Sequence, residues 1–443
     1  MVKFTLFFLS LSFLIILHEF GHYITARWFK ARVDKFYLFF DFLFPFGNLL
    51  KFSLFKKKIG GTEYGLGWFP FGGYVDIAGM AADPDKPDEP IKPDEFRGKK
   101  PWQRMIILAG GIIVNFLLAI IIYSMMMWAW GEEYIPTSEV KYGVAVDSLF
   151  IRAGLQDGDK ILSLDNVPVE NVNTVGVEIL IEKPKTVQVE RNGAKVNVVL
   201  PDSMDKMLMK VADQAKFLIA PQHPFVLDTL IPDYPASKAG LMKGDSLVTL
   251  NGDTLIFFEQ FVRQFQRYKS QKVDIGFFRG DSLQHVTVAL NEEGKMGVGD
   301  KSVLKYLKTK KIEYGFFASW GKGWSLTIDQ LSKYIKQMRL IFSREGVTKV
   351  GGFASIASVF PSEWNWAKFW EITAMLSVIL AFMNLLPIPV LDGGYILFVL
   401  WEMITGKKVS DKFMNRALTI GMYLVLGLLI LANGNDIYRF LIK

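Results

Sequence analysis

His18-Glu19-Phe20-Gly21-His22 sets two imidazoles four residues apart, with a carboxylate beside the first. On a helix, residues four apart share a face, so both rings can converge on one zinc ion. Glu19 would then stand next to the metal, able to take a proton from a metal-bound water. The chain has only four histidines, the others being His223 and His285. A buried polar cluster that only stabilises helix contacts is the plainer alternative. Against it, ionisable groups at membrane depth are costly and usually functional.

A catalytic zinc takes three protein ligands and keeps a fourth position open. With no further histidine near these two, the third ligand should be a carboxylate in or near another apolar segment. "NLLPIPVLDGG" (Asn384–Gly394) offers Asp392. Pro387 and Pro389 break the helix there, and Gly393-Gly394 let backbone approach closely. Taken alone, Asp392 also suits a helix N-cap at the membrane surface. The chain has no cysteine, which excludes thiolate ligands and disulfides alike.

The elements that must position these groups are membrane helices. Half of the 443 residues are hydrophobic (51%), and four apolar runs, roughly 3–27, 104–130, 367–386 and 414–432, approach the twenty residues a bilayer requires. The first lacks a small-residue cleavage site before His18 and reads as a retained span. The net charge of +7 is no nucleic-acid signal, because the basic residues cluster at span ends: Arg27, Lys30, Arg32 and Lys35; Arg97, Lys99, Lys100 and Arg104; Lys407, Lys408, Lys412 and Arg416. Such clusters mark the cytoplasmic side. They predict an external N-terminus, residues 28–103 inside, 131–366 outside, 387–413 inside and an external C-terminus.

The external segment contains a repeat. "AGLQDGDKILSLDNVPV" (Ala153–Val169) is echoed by "AGLMKGDSLVTLNGDTL" (Ala239–Leu255), and hairpin turns at Asn192-Gly193 and Gly280-Asp281 follow. The pattern resembles PDZ domains of the circularly permuted kind found in bacterial proteases, which capture extended peptides at a sheet edge; two spacer or filter domains would read the same. After them Trp324, Ile328, Leu331, Ile335, Met338 and Phe342 recur at helical steps, opposite Lys333, Lys336, Gln337 and Arg339. This amphipathic helix could lie on the bilayer, seal the external domains against it, or simply pack.

HEFGH in the first span, NxxPxPxxDG at the third and the paired domains between resemble the site-2 protease family, over nearly the whole chain. The resemblance implies zinc bound by His18, His22 and Asp392, water activated by Glu19, and a role for Asn384, Pro387 and Pro389 in handling substrate; Asn384 could instead be a packing amide. "GWFPFGGYVDIAGM" (Gly67–Met80), glycine-rich and aromatic, resembles that family's membrane-re-entrant β-hairpin, which implies substrate contacts at Gly72, Gly73 and Tyr74; a hairpin packed on the helices is the alternative. "AGGIIVNF" (Ala109–Phe116) stands where the family has Gly-Pro-x-x-Asn: Asn115 matches, Ile112 replaces the proline, and Gly110-Gly111 offer close approach instead.

The expected fold is thus a multi-pass α-helical membrane protein with a membrane-associated β-hairpin region and two external PDZ domains. Residues 1–30 carry the first span and HExxH, 31–103 the hairpin or re-entrant region and 104–130 the second span. Residues 131–215 and 216–300 form the PDZ domains, 301–366 a helical connector, 367–395 the third span with its motif, and 396–443 a loop and fourth span. The expected activity is zinc endopeptidase cleavage of single-span membrane proteins, an anti-sigma factor or remnant signal peptides by the resemblance, in a bacterial inner membrane with the PDZ pair in the periplasm. Partners are those substrates and membrane lipid, not nucleic acid. The alternatives are a PDZ-bearing membrane scaffold or chaperone with a non-catalytic metal site, and a zinc transporter or sensor, which would need more polar residues along its spans.

Overall fold

The computed structural model describes residues 2–43, 50–70, 72–80, 90–211, 217–299, 306–341 and 350–439. The chain divides into two units, Met1–Gly131 with Glu313–Lys443, and Glu132–Ile312.

Among the described residues of the first unit, four helices are long and apolar enough to cross a membrane: Val2–Trp28, Pro101–Ala129, Trp366–Leu385 and Asp411–Ile437. Their ends follow local chemistry. The second opens on Pro101, whose missing N–H costs nothing at a first turn. Asn365 and Ser410 cap the third and fourth by accepting the Lys368 and Phe413 N–H. The third stops at Leu385, and Leu386 is extended because Pro387 follows.

Lipid is as apolar as leucine, so helices in it associate through small residues and polar contacts. The first two spans touch at Gly21 and Gly110, where a Cβ on either would fall 2.3–2.4 Å from the other's carbonyl oxygen. Ser377 donates to the Asn115 carbonyl at 2.7 Å and Thr373 to Ser10 at 2.9 Å, tying the third span to the second and first. The fourth span buries little, apart from Gly421 against the Pro389 carbonyl and Asp436, which accepts from Ser355.

A four-stranded sheet joins the first two spans: β1 (Val33–Leu38), β2 (Ser53–Ile59), β3 (Thr62–Gly67) and β4 (Tyr74–Ile77), in the order β2-β3-β1-β4. β2 and β3 form the hairpin, turning at Gly60-Gly61, both with positive φ. Gly67–Met80 is therefore not a hairpin by itself. It carries the end of β3 and then β4, an edge strand antiparallel to β1 (Phe36 opposite Val75). Both β3 and β4 pair with β1 rather than with each other, a long-range choice that alternation along the segment does not reveal.

The connector helix Phe316–Ile341 runs along the second span, with Trp324 edge-on to Phe116. Ser319, Gly323 and Thr327 make the contact; a Cβ at Gly323 would fall 2.1 Å from Ser124 Oγ. Trp324 and Ile335 are about half exposed, at 53% and 48%, while Leu331 packs on the core of Ala119 and Met126. Phe342 lies outside the described residues. Small residues let helices approach closely in lipid.

The second unit holds two lobes with sheets of matching strand order. One contains Lys160–Leu164, Val167–Pro168, Thr186–Arg191 and Ala194–Val199; the other Ser246–Leu250, Asp253–Thr254, Lys272–Arg279 and Ser282–Ala289. Each packs a helix on its sheet, Val175–Glu182 or Phe258–Phe265, and has its own core, around Phe150 and Val187 or around Phe261 and Ile275. The recurrent Gly-Asp turn has a structural cause. Buried Asp159 and Asp245 each accept two bonds from an arginine, Arg191 or Arg279, which also donates to the Gly154 or Gly240 carbonyl. The strand Ile219–Pro221 pairs back on Val144–Val146, so the first lobe takes in residues beyond 215.

Candidate metal centre

His18 and His22 lie on the inner face of the first span, both buried. Asp392 is the first residue of a short helix, Asp392–Thr405, that follows the proline-broken end of the third span. The bend is tight. A Cβ at Gly393 would lie 2.4 Å from the Leu385 and Leu386 carbonyls, and Val390, though β-branched, has a φ of +95°, a conformation costing about 1–3 kcal/mol. Asp392 does not cap the helix with its side chain. It turns toward the imidazoles instead.

Three atoms converge: His18 Nε2 and His22 Nε2 each stand 3.3 Å from Asp392 Oδ2 and 3.3 Å from each other. Ligand atoms about 2.0–2.1 Å from a tetrahedral zinc are separated by about 3.3 Å, the edge of the tetrahedron. Among the described residues Asp392 Oδ2 is buried without a hydrogen-bond partner, a costly state for a carboxylate that metal ligation relieves. Among the described residues this is the one such cluster of metal-ligating side chains. The residues present fit zinc.

The surroundings fix the rings. His22 Nδ1 lies 2.9 Å from the Ile107 carbonyl, which can only accept, so Nδ1 carries the proton and Nε2 presents its lone pair. His18 Nδ1 meets the Asn115 amide at 3.1 Å, and Asn115 Oδ1 is otherwise buried and unpartnered. With Oδ1 turned to Nδ1–H both groups are satisfied, and Nε2 of His18 is free as well. Gly111 makes room: a Cβ there would fall 2.5 Å from His22 Nε2 and 2.6 Å from His18 Cε1.

Glu19 lines the same cavity, about 160 Å³, together with Gly73, Tyr74 and Val75 of the β4 edge, and the Val75 N–H faces its carboxylate. Gly73 must be small, since its Cβ would meet Ile15 and the Tyr37 carbonyl. Asn384 Nδ2 comes within 3.3 Å of His18 Nε2. Gly72, Pro387 and Pro389 stand back, while Tyr74 lines the cavity. Gly72 packs on Phe40, the Tyr74 hydroxyl donates to Asp41 at 3.0 Å, and Pro387 and Pro389 shape the bend without lining the cavity. Sequence reasoning missed the Ile107 carbonyl and the Val75 N–H, main-chain groups that leave no residue signature. It also missed Glu402, an acid inside the apolar helix that accepts from Arg104 at 2.6 Å, which its isolation in "FVLWEMIT" could have flagged.

The sequence model of peptidase family M50 matches residues 6–428. The chain is similar to Protease RseP of Yersinia pestis, 28% identical over 467 residues that cover 98% of each protein. It is also similar to the Regulator of sigma-E protease RseP of Escherichia coli K12, 28% identical over 461 residues and 98% of each. A protein of Neisseria meningitidis serogroup A that carries a zinc metalloprotease name is 26% identical over 460 residues, again 98% of each.

Proposed function

The chain belongs to peptidase family M50 and is a zinc metalloprotease, and on that premise we propose that it cuts single-span membrane proteins within the bilayer, with His18, His22 and Asp392 as zinc ligands and Glu19 as the base. The observation that carries this reading is the triangle of 3.3 Å separations between the three ligand atoms, with Glu19 in the same cavity.

Zinc held there supplies a Lewis acid and lowers the pKa of a water bound to it. Glu19, oriented by the Val75 N–H, accepts the proton of the attacking water and delivers it to the leaving amine. A helical peptide bond is shielded by its own hydrogen bonds, so the substrate must first unwind. The outer edge of β4 at Gly73–Val75 offers backbone partners to an extended segment. Asn384 donates to the scissile carbonyl region from beside His18. Pro387 and Pro389 keep the backbone broken where Asp392 must enter.

The substrates we infer are an anti-sigma factor or remnant signal peptides, in keeping with relatives named as regulators of sigma-E. By the span-end charges, the protein lies in a bacterial inner membrane with the metal site toward the cytoplasm and the two lobes, read as PDZ domains, in the periplasm. A cavity of about 390 Å³ in the second lobe, between Phe258, Val262 and Phe265 of its helix and the 294–298 edge, supports peptide capture there; together the lobes admit trimmed substrates and exclude bulky external domains.

The test is a model single-span substrate incubated with purified wild type and Glu19→Gln. Removing a general base costs about 10²–10⁴-fold, and that loss is expected with zinc content unchanged. Equal cleavage by both would remove Glu19 as the base, and no cleavage by either would favour a scaffold or chaperone.

A further inference from the structure

A second cavity, about 350 Å³, adjoins the metal site and shares Met80 and Leu108 with it. One wall is apolar, with Leu108, Phe398 and Met414. The other carries Arg97, Arg104 and Lys408. Arg104 is only 7% exposed; one guanidinium nitrogen binds Glu402, but its Nε has no hydrogen-bond partner. Among the described residues Arg97 Nη2 is buried and equally unpartnered, with Asp411 at 3.8 Å, beyond hydrogen-bond reach. Buried charged donors left unmade are costly. Of the described acids lining the cavity, Glu402 already serves Arg104, so Arg97 and Lys408 face one remaining carboxylate, Asp411.

We propose that this cavity binds the head group of an anionic phospholipid, with phosphate oxygens on Arg97 and Arg104, Lys408 at the rim, and an acyl chain along Leu108, Phe398 and Met414. A soluble phosphate would satisfy the donors but has no use for the apolar wall. Basic pockets between helix ends are where such head groups bind, and this one lies where the span-end cations gather. The helix that begins with Asp392 lines the cavity further along, through Phe398, Val399 and Glu402. A seated lipid therefore braces the element that delivers the third metal ligand against the second span.

The experiment uses the full chain in phosphatidylcholine nanodiscs titrated with phosphatidylglycerol, with retained lipid counted by native mass spectrometry. Wild type should hold one phosphatidylglycerol that millimolar inorganic phosphate does not displace. Each cation near the surface is worth roughly fivefold, so Arg97→Gln with Lys408→Gln should weaken retention by about 25-fold while zinc stoichiometry stays at wild type. If that variant loses zinc, Met414→Trp decides: it fills the acyl side, leaves the charges in place, and should also lose the lipid. Unchanged retention in the informative variant overturns the proposal, and so does displacement by inorganic phosphate.

Discussion

Gly111→Ala is the sharpest test of how the imidazoles are held. The added methyl would sit 2.5 Å from His22 Nε2, 2.6 Å from His18 Cε1 and 2.7 Å from His18 Nδ1. Ordinary contact begins at 3.4 Å, so at least one ring must retreat by 0.9 Å, the difference between 3.4 and 2.5. Metal–ligand distances tolerate about 0.2 Å. Retreat also strains the His22 bond to the Ile107 carbonyl and the His18 bond to Asn115. Disturbing outer partners of zinc ligands costs 10–100-fold in affinity, and displacing a ligand should reach at least about 100-fold. Gly110→Ala is the control, because its methyl would meet the main-chain oxygen of Gly21 at 2.4 Å and separate the spans instead. The assay is zinc affinity by chelator competition in detergent, with a thermal melt alongside. Gly111→Ala should lose zinc and cleavage while melting near wild type, whereas Gly110→Ala should lower the melting temperature. A Gly111→Ala protein with wild-type zinc affinity would refute the reasoning.

Two further outcomes follow from hydrogen bonds. Asn115→Ala removes the partner of His18 Nδ1 and should weaken zinc about 10–100-fold, read by the same competition assay, with kcat falling when zinc is subsaturating and recovering in excess zinc. In the second lobe, burial pushes the Asp245 carboxyl up, but the Arg279 guanidinium and the Met242 N–H outweigh it and hold the group below its usual range. A carboxyl depressed in the folded state stabilises fully above its unfolded pKa of about 3.9 and loses that contribution as pH falls through the lower folded value. Protection of that lobe against hydrogen exchange in the full chain, corrected for the intrinsic rate at each pH, should therefore fall in acid below about pH 4, and Asp245→Asn should lower protection at neutral pH while flattening the dependence. An unchanged acid profile in the variant would place the sensitivity elsewhere.

Much of the site was legible because its signals are local. Four-residue spacing puts His18 and His22 on one helix face whatever surrounds them, and prolines at 387 and 389 end a helix by their own covalent geometry. The spans were legible for a similar reason, since a bilayer sets a length that composition must meet. What spacing could not supply was everything made by close approach between distant segments. Glycine at 110 and 111 is equally consistent with a loose helix. Only packing shows that one meets Gly21 and the other clears the two rings. In the connector helix, periodicity picks out Trp324 and Leu331, which pack on the second span, but scores the buried Ser319, Gly323 and Thr327 as neutral.

By itself, the order of residues determined which groups could do chemistry, that they sit in membrane-length helices, and where those helices must break. Only the tertiary structure decided that Asp392 turns to the histidines rather than capping its helix, which ring nitrogens are free, and which strand edge borders Glu19. Those choices depend on carbonyls, N–H groups and bare glycine backbone brought together across the fold. Main-chain groups are the same in every residue, so their placement is written in packing and not in residue type.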